Sequence, residues 1–154
     1  MEVEAELYFG EFQHVRDVKG RLTVPSKWRF SGDEEQVYLA FPDPAGCITV
    51  YPPKMVAQMK AKLASVSLGD LKGQRAMMKL LGAADSFSFD KSGRIKISDR
   101  LYTHAGIDKD VLCVGTLNKF HLWEPERYQR YVGAGDEDED DGGNLAEILT
   151  SLGL

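Results

Sequence analysis

The feature that most constrains the fold of this chain is an internal repeat. The stretch Asp17-Val18-Lys19-Gly20-Arg21-Leu22-Thr23-Val24 returns 73 residues later as Asp90-Lys91-Ser92-Gly93-Arg94-Ile95-Lys96-Ile97. Aspartate, glycine and arginine are identical, and both apolar positions stay aliphatic. Trp28 then meets Leu101; with a one-residue slip, Val37-Tyr38-Leu39 matches Val111-Leu112-Cys113, and Tyr51-Pro52-Pro53 matches Trp123-Glu124-Pro125. A unit this small cannot bury a core alone, so the two copies are expected to pack together.

Each copy reads the same way. A strand (11–15, then 86–89) enters an Asp-x-x-Gly turn, in which aspartate binds the backbone ahead of it and Gly20 or Gly93 supplies positive φ. The next strand alternates: Leu22 and Val24 face one way, Arg21 and Thr23 the other, and Ile95 and Ile97 likewise oppose Arg94 and Lys96. A short helical turn is expected next, with Ser26 or Ser98 as N-cap. Strands over 37–41 and 48–51, then over 111–116 and 120–123, complete the copies. Pro52 and Pro53 suit a first helical turn, followed by Val56, Met59, Leu63 and Val66 at spacings of three and four. A second helix over about 70–81 carries Met77, Met78, Leu80 and Leu81 on a face expected to be core, or a subunit interface, and stops at Gly82.

The net charge of −5 is unevenly spread. Between Phe12 and Val132 lie all 19 Lys and Arg but only 13 Asp and Glu, a net +6. Six acids form the unbroken run 136–141, flanked by glycines, which reads as a solvated, disordered linker. No apolar run approaches the roughly 18 residues that span a bilayer, and the acidic N-terminus does not resemble a signal peptide. Cys47 and Cys113 each lie in an apolar run and read as buried, reduced thiols, so a cytoplasmic location is expected.

Catalytic signals are few. His14, His104 and His121 are isolated, at no metal-ligand spacing from a cysteine or from each other. Gly-x-Ser-x-Gly, Walker and dinucleotide-binding motifs are missing from the sequence. Asp17 and Asp90 invite a paired-carboxylate reading, but their place before a glycine turn favours turn capping. No enzyme, cofactor, metal, membrane or small-molecule substrate is therefore expected. The basic residues say more: Arg16, Lys19 and Arg21 crowd the first turn, and Lys91, Arg94 and Lys96 the second. Repeated cationic tips match the repeating phosphates of duplex DNA, and a rigidly held arginine can present its fork to guanine O6 and N7.

These residues resemble the MraZ family, tandem-repeat members of the AbrB-like DNA-binding fold. The matching stretches are Asp17-x-Lys19-Gly20-Arg21-Leu22-x-Val24-Pro25, Leu80-x-Gly82, Asp90-x-x-Gly93-Arg94-Ile95, Ala105-Gly106-Ile107 and Asn118-Lys119-Phe120-x-Leu122-Trp123. The resemblance covers about residues 8–131. It implies an α+β, mainly β fold: a pseudo-symmetric swapped-hairpin β-barrel built from repeats at 8–54 and 83–127. Connecting helices over 55–82 and an acidic, disordered tail over 133–154 complete the expected layout. It further implies a cytoplasmic, nucleoid-associated regulator of the division and cell-wall gene cluster. Such a regulator, a repressor by this reading, forms a homo-oligomeric ring and binds G-rich direct repeats in double-stranded promoter DNA. DNA contact is carried in the family by hairpins that map here to Asp17 with Arg21 and Asp90 with Arg94, and the first tip is expected to contribute more. The ends depart from the family pattern in the acids before Phe9, the acidic run at 136–141 and His121 at a position often acidic in relatives. A second reading is a DNA-binding antitoxin whose C-terminal residues (Leu145, Ile148, Leu149, Leu152) form an amphipathic helix for a partner. A hydrolase using Asp17 and Asp90 ranks well below both.

Overall fold

A computed structural model describes residues 6–133 and 145–154. In chain order, β1 (Tyr8–Val15) enters the first turn and β2 (Arg21–Thr23) leaves it. A 3-10 turn at Ser26–Trp28 leads to β3 (Tyr38–Pro42) and β4 (Ile48–Tyr51). Helices α1 (Pro53–Ala64) and α2 (Leu71–Gly82) link this copy to the next. The second copy comprises β5 (Asp85–Phe87), β6 (Arg94–Lys96), α3 (Asp99–Ala105), β7 (Asp110–Leu117) and β8 (Phe120–Trp123). Two further helices follow, α4 (Pro125–Gly133) and α5 (Leu145–Ser151).

Six strands form one sheet in the order β1-β7-β8-β4-β3-β5, every neighbour antiparallel. The order reads the same from either end once the copies are interchanged: each copy's first strand pairs with the other copy's third. The remaining strands, β2 and β6, pair only with each other as a separate two-stranded ribbon. The expected closed barrel is not what the chain forms. Among the described residues β1 and β5 are free sheet edges, because β2 and β6, three residues each, turn to one another instead of prolonging the sheet. A single bridge, Arg16 to Leu22, links β2 back to the end of β1.

Alternation decides which side chains meet. Ile48, Val50, Phe120, Leu122, Val111 and Cys113 point to the face that the ribbon covers with Leu22, Val24, Ile95 and Ile97. Trp28 packs between Tyr8 and Phe120, with ring centroids 5.9 and 5.1 Å away, and Leu101 and Tyr102 of α3 complete the cluster. Each fully buried aliphatic side chain here contributes about 1.5–3 kcal/mol. The opposite face holds a smaller cluster of Cys47, Leu112 and Trp123 under Tyr128 of α4.

Several local expectations shift. Strand β1 begins at Tyr8 rather than 11, because Tyr8 and Phe12 share the core face and Tyr8 pairs across to Leu117. Ser98 occupies the N-cap of α3 as expected, but its hydroxyl is buried without a partner among the described residues, and Pro25 rather than Ser26 precedes the 3-10 turn. Helix α2 starts where expected, capped by Asp70, whose carboxylate accepts the Gly73 N–H at 2.9 Å. Its Met and Leu face is not core, however: no residue of α1 or α2 is buried, and Met78 is 72% exposed. Helix α4 falls where no element is expected. The tail contains α5, and the acidic run at 136–141 lies outside the described residues. Among the described residues no helix is long and apolar enough to cross a membrane.

Candidate nucleic-acid interface

Asp17 and Asp90 build matching turns. Oδ1 of Asp17 accepts the Lys19 and Arg21 amides at 2.9 and 2.8 Å, and the Asp17 carbonyl accepts the Gly20 amide at 3.0 Å. Oδ1 of Asp90 accepts the Ser92 and Arg94 amides at 2.8 and 2.9 Å, and its carbonyl accepts the Gly93 amide at 3.0 Å. Gly20 (φ +83°) and Gly93 (φ +77°) occupy the left-handed region that lets the chain reverse. The second carboxylate oxygen then holds the arginine: Arg21 Nε donates to Asp17 Oδ2 at 2.7 Å, and Arg94 Nε to Asp90 Oδ2 at 2.9 Å. The Arg21 amide above all, with the Arg21 side chain and the Lys19 amide, holds the Asp17 carboxyl below the usual carboxylate range. Asp90 is lowered in the same way, chiefly by the Arg94 amide and then by Ser92 and the Arg94 side chain.

Tethering leaves each guanidinium usable. Both arginine side chains remain over a third exposed, and beyond Nε their nitrogens have no hydrogen-bond partner among the described residues. The aspartates therefore act as orienting struts, fixing one edge of each fork while the other faces outward.

Pairing of β2 with β6 joins the two turns into one surface. Arg21 stands opposite Lys96, Leu22 opposite Ile95, and Thr23 opposite Arg94. Leu22 and Ile95 are buried, so Arg21, Lys96, Thr23 and Arg94 share the outer face. Beyond the ladder, the Gly20 carbonyl accepts the Ile97 amide and the Gly93 carbonyl the Val24 amide, each at 3.0 Å. A turn thus closes each end of the ribbon, the two separated by four residues, or about 13 Å at strand rise. Lys19, Lys91 and Lys96 are exposed and form no ion pair among the described residues.

Arg16 does not join this face. Its Nε donates to the Asp108 carbonyl at 2.6 Å, its Nη1 lies 3.6 Å from Asp99, and its guanidinium stacks 4.4 Å above the Tyr102 ring. It anchors the end of β1 against α3 and the approach to β7. One cation was missed by sequence reasoning: Arg29 lies against Gly93, with Nη1 reaching the Ser92 carbonyl at 3.5 Å. Its repeat counterpart, 73 residues on, is Tyr102, whose hydroxyl donates to the Gly20 carbonyl at 3.2 Å. Equivalent positions thus brace the opposite copy's turn, but the second turn gains a charge that the first lacks. Repeat alignment carries the signal, since it pairs position 29 with 102.

Sequence spacing also hid a meeting of Asp43, Cys47 and His121 on the far face of the sheet. The Cys47 thiol is pushed up to about 12, first by burial and then by Asp43, while burial lowers His121 against the opposing pull of Asp43. His104 is structural, its Nε2 2.8 Å from the Asp43 carbonyl.

A family model described as "MraZ protein, putative antitoxin-like" matches residues 80–141. Proteins named "Transcriptional regulator MraZ" from Lactobacillus delbrueckii subsp. bulgaricus and Pediococcus pentosaceus are 34% and 35% identical to this chain, aligned over 96% of it and 100% of their own length. One of the same name from Lachnoclostridium phytofermentans is 34% identical over 96% of this chain and 99% of its own. Identity at this level, carried across both repeats and the helices between them, shows that the chain belongs to the MraZ family.

Proposed function

We propose that this chain is a transcriptional regulator that binds double-stranded promoter DNA through the outer face of the β2–β6 ribbon and its two Asp-x-x-Gly-Arg turns. The observation that carries this reading is the joining of Arg21, Arg94 and Lys96 on one exposed ribbon face, with both arginines tethered only through Nε. A two-stranded ribbon fits a major groove about 12 Å wide, and a guanidinium presented edge-on matches guanine O6 and N7. Lys19, Lys91 and Lys96 supply phosphate contacts and counterion release. Arg16 contributes by holding the first turn in place. The names of the relatives support regulation of transcription.

Finer features of this reading rest on the family resemblance: G-rich direct repeats as operator, repression of the division and cell-wall cluster, association with the nucleoid, and assembly into a ring. The exchange of first strands between copies and the β2–β6 pairing support the swapped-hairpin arrangement. The turn carboxylates support a non-catalytic role. Each accepts three N–H bonds and is lowered, the opposite of a general acid poised near neutral pH. A mobility-shift assay on the DNA upstream of the protein's own gene tests the reading. A shift that needs the G-rich repeats is expected; equal shifting of scrambled DNA contradicts it.

A second reading has one observation in its favour. Helix α5 exposes Leu145, Ile148 and Leu149, a short apolar stripe of the kind an antitoxin offers a partner. Removing residues 145–154 leaves DNA binding intact if the first reading holds.

A further inference from the structure

DNA reading leaves one chemically capable cluster unused. It lies on the sheet face opposite the ribbon, where the β3–β4 turn of the first copy meets β8 of the second. Thr49 and His121 are direct cross-strand partners, and Asp43 and Cys47 sit on the turn that leads into β4. Thr49 Oγ1 donates to Asp43 Oδ2 at 2.6 Å and lies 2.9 Å from His121 Nδ1 and 4.0 Å from Cys47 Sγ. A carboxylate oxygen, a thiol sulfur and an imidazole nitrogen lie within 4.8 Å of one another.

We propose that Asp43, Cys47 and His121 form a binding site for a zinc-class divalent cation, ligated by carboxylate oxygen, thiolate sulfur and Nδ1. The donor set selects the metal: one sulfur, one nitrogen and one oxygen suit a borderline-soft ion and not calcium or magnesium. Supporting partners already orient two of the ligands. The Ala45 amide donates to Asp43 Oδ1 at 2.8 Å, which leaves Oδ2 turned inward. With the Thr49 proton given to Asp43, His121 Nδ1 donates to Thr49 in the metal-free protein. Binding moves the imidazole proton to Nε2, where Thr116 Oγ1, 2.8 Å away, accepts it and the Nδ1 lone pair is freed for the metal. Cys47 is buried and bonded to no other cysteine, and binding moves its thiol proton to solvent.

Metal arms of 2.0–2.3 Å place ligand atoms roughly 3.5 Å apart, so the cluster closes by about an ångström. The Thr49 hydroxyl now fills the middle of the three groups and turns aside by a χ1 rotation. The fourth coordination position opens onto a cavity of about 310 Å³ walled by Trp123, Tyr128 and Tyr131, which admits water. A cation held there ties the first copy's β3–β4 turn to the second copy's β8. This site lies apart from the ribbon face, so metal binding and DNA reading can each fail without the other.

Full-length protein stripped with a chelator and titrated with Co²⁺ alone, then with Zn²⁺, tests the site. One equivalent should bind and produce a thiolate-to-cobalt charge-transfer band, which Zn²⁺ then abolishes. Cys47→Ser should lose the band, Cys113→Ser should keep it, and His121→Gln and Asp43→Asn should each weaken Zn²⁺ binding at least tenfold with an unchanged circular dichroism spectrum. Should Cys47→Ser fail to fold, the two less buried positions, His121 and Asp43, decide the matter. Absence of the band in the unaltered protein, its survival in folded Cys47→Ser, its loss in folded Cys113→Ser, or unchanged affinity in His121→Gln and Asp43→Asn overturns the proposal.

Discussion

Arg21 stands directly opposite Lys96 in the β2–β6 ladder, two cations paired across one exposed ribbon face. Like charges in that relationship cost a fraction of a kcal/mol, and of the two only Arg21 forms an ion pair among the described residues. Stability alone would favour an acid or threonine opposite Arg21. An arriving polyanion reverses the sign of the interaction, so the pairing makes sense as part of a surface completed by its ligand.

Lys96→Ala therefore separates stability from binding. The melting temperature should hold or rise slightly, while affinity falls for operator and scrambled duplexes alike. The slope of log K against log salt should shrink by about one unit for the phosphate no longer neutralised. A drop in melting temperature with an unchanged slope would assign Lys96 to the fold.

The turn glycines are not equivalent. A Cβ at Gly20 would lie 2.6 Å from the Ile97 carbonyl oxygen, rigid backbone at the end of the ribbon, whereas at Gly93 it would meet the movable side chain of Arg29. Gly93→Ala should cost about 1–2 kcal/mol for its left-handed φ. Gly20→Ala should cost about 2–3 kcal/mol, because the Ile97-to-Gly20 hydrogen bond is disturbed as well. Urea denaturation of the two variants checks the order.

Acid should loosen both turns. Asp17 and Asp90 have lowered folded values, so the stability they contribute is fully present above the ordinary carboxylate value of about 3.9 and is lost as pH falls through the folded one. Melting temperature should thus fall more steeply below pH 4 in the unaltered protein than in Asp17→Asn/Asp90→Asn, whose amide oxygens still accept the turn N–H groups. Equal slopes would show that the carboxylates carry no linkage.

Self-association should use the helical arm. Leu68, Leu71 and Met78 are 86%, 71% and 72% exposed along α2 and the loop before it, apolar surface that a second copy of the chain would cover. Light scattering after size exclusion should give several times the 17.2 kDa chain mass, and Leu71→Glu/Met78→Glu should lower it. A monomer mass at micromolar concentration contradicts the ring.

Local periodicity made much of this legible. The alternation of Leu22 and Val24 with Arg21 and Thr23, and its copy at 94–97, is a period-two signal that needs no partner to be read, and Asp-x-x-Gly is a turn whatever surrounds it. The partner of β2 was not legible. Pairing with β6 joins residues more than 70 positions apart, so the ribbon stands where a closed barrel was expected. Arg16 shares the tip's composition but not its direction, because Asp99, Asp108 and Tyr102, all from the second copy, draw it away. Cys47 and His121 escaped because ligand spacing rules test neighbours in sequence, whereas the β4–β8 register brings these two together. The α2 stripe was misplaced for the converse reason: its period is helical, but nothing among the described residues buries it.

The central claim is that tethered arginines at both turns read DNA sequence, and one binding measurement tests it most directly. Fluorescence anisotropy on a duplex from upstream of the protein's own gene, and on a scrambled duplex of equal length, compares the unaltered chain with Arg21→Lys and Arg94→Lys. A lysine ammonium can neutralise Asp17 or Asp90, or contact a base, but it cannot do both as a planar fork does. Each variant should keep its melting temperature and non-specific affinity while giving up about 1–3 kcal/mol of preference for the upstream duplex, for each guanine no longer read. Arg29 beside the second turn predicts that Arg94→Lys retains the higher non-specific affinity of the two. Undiminished preference in both variants, or loss of preference only in step with loss of folding, would contradict the claim and leave the arginines as braces of the turns.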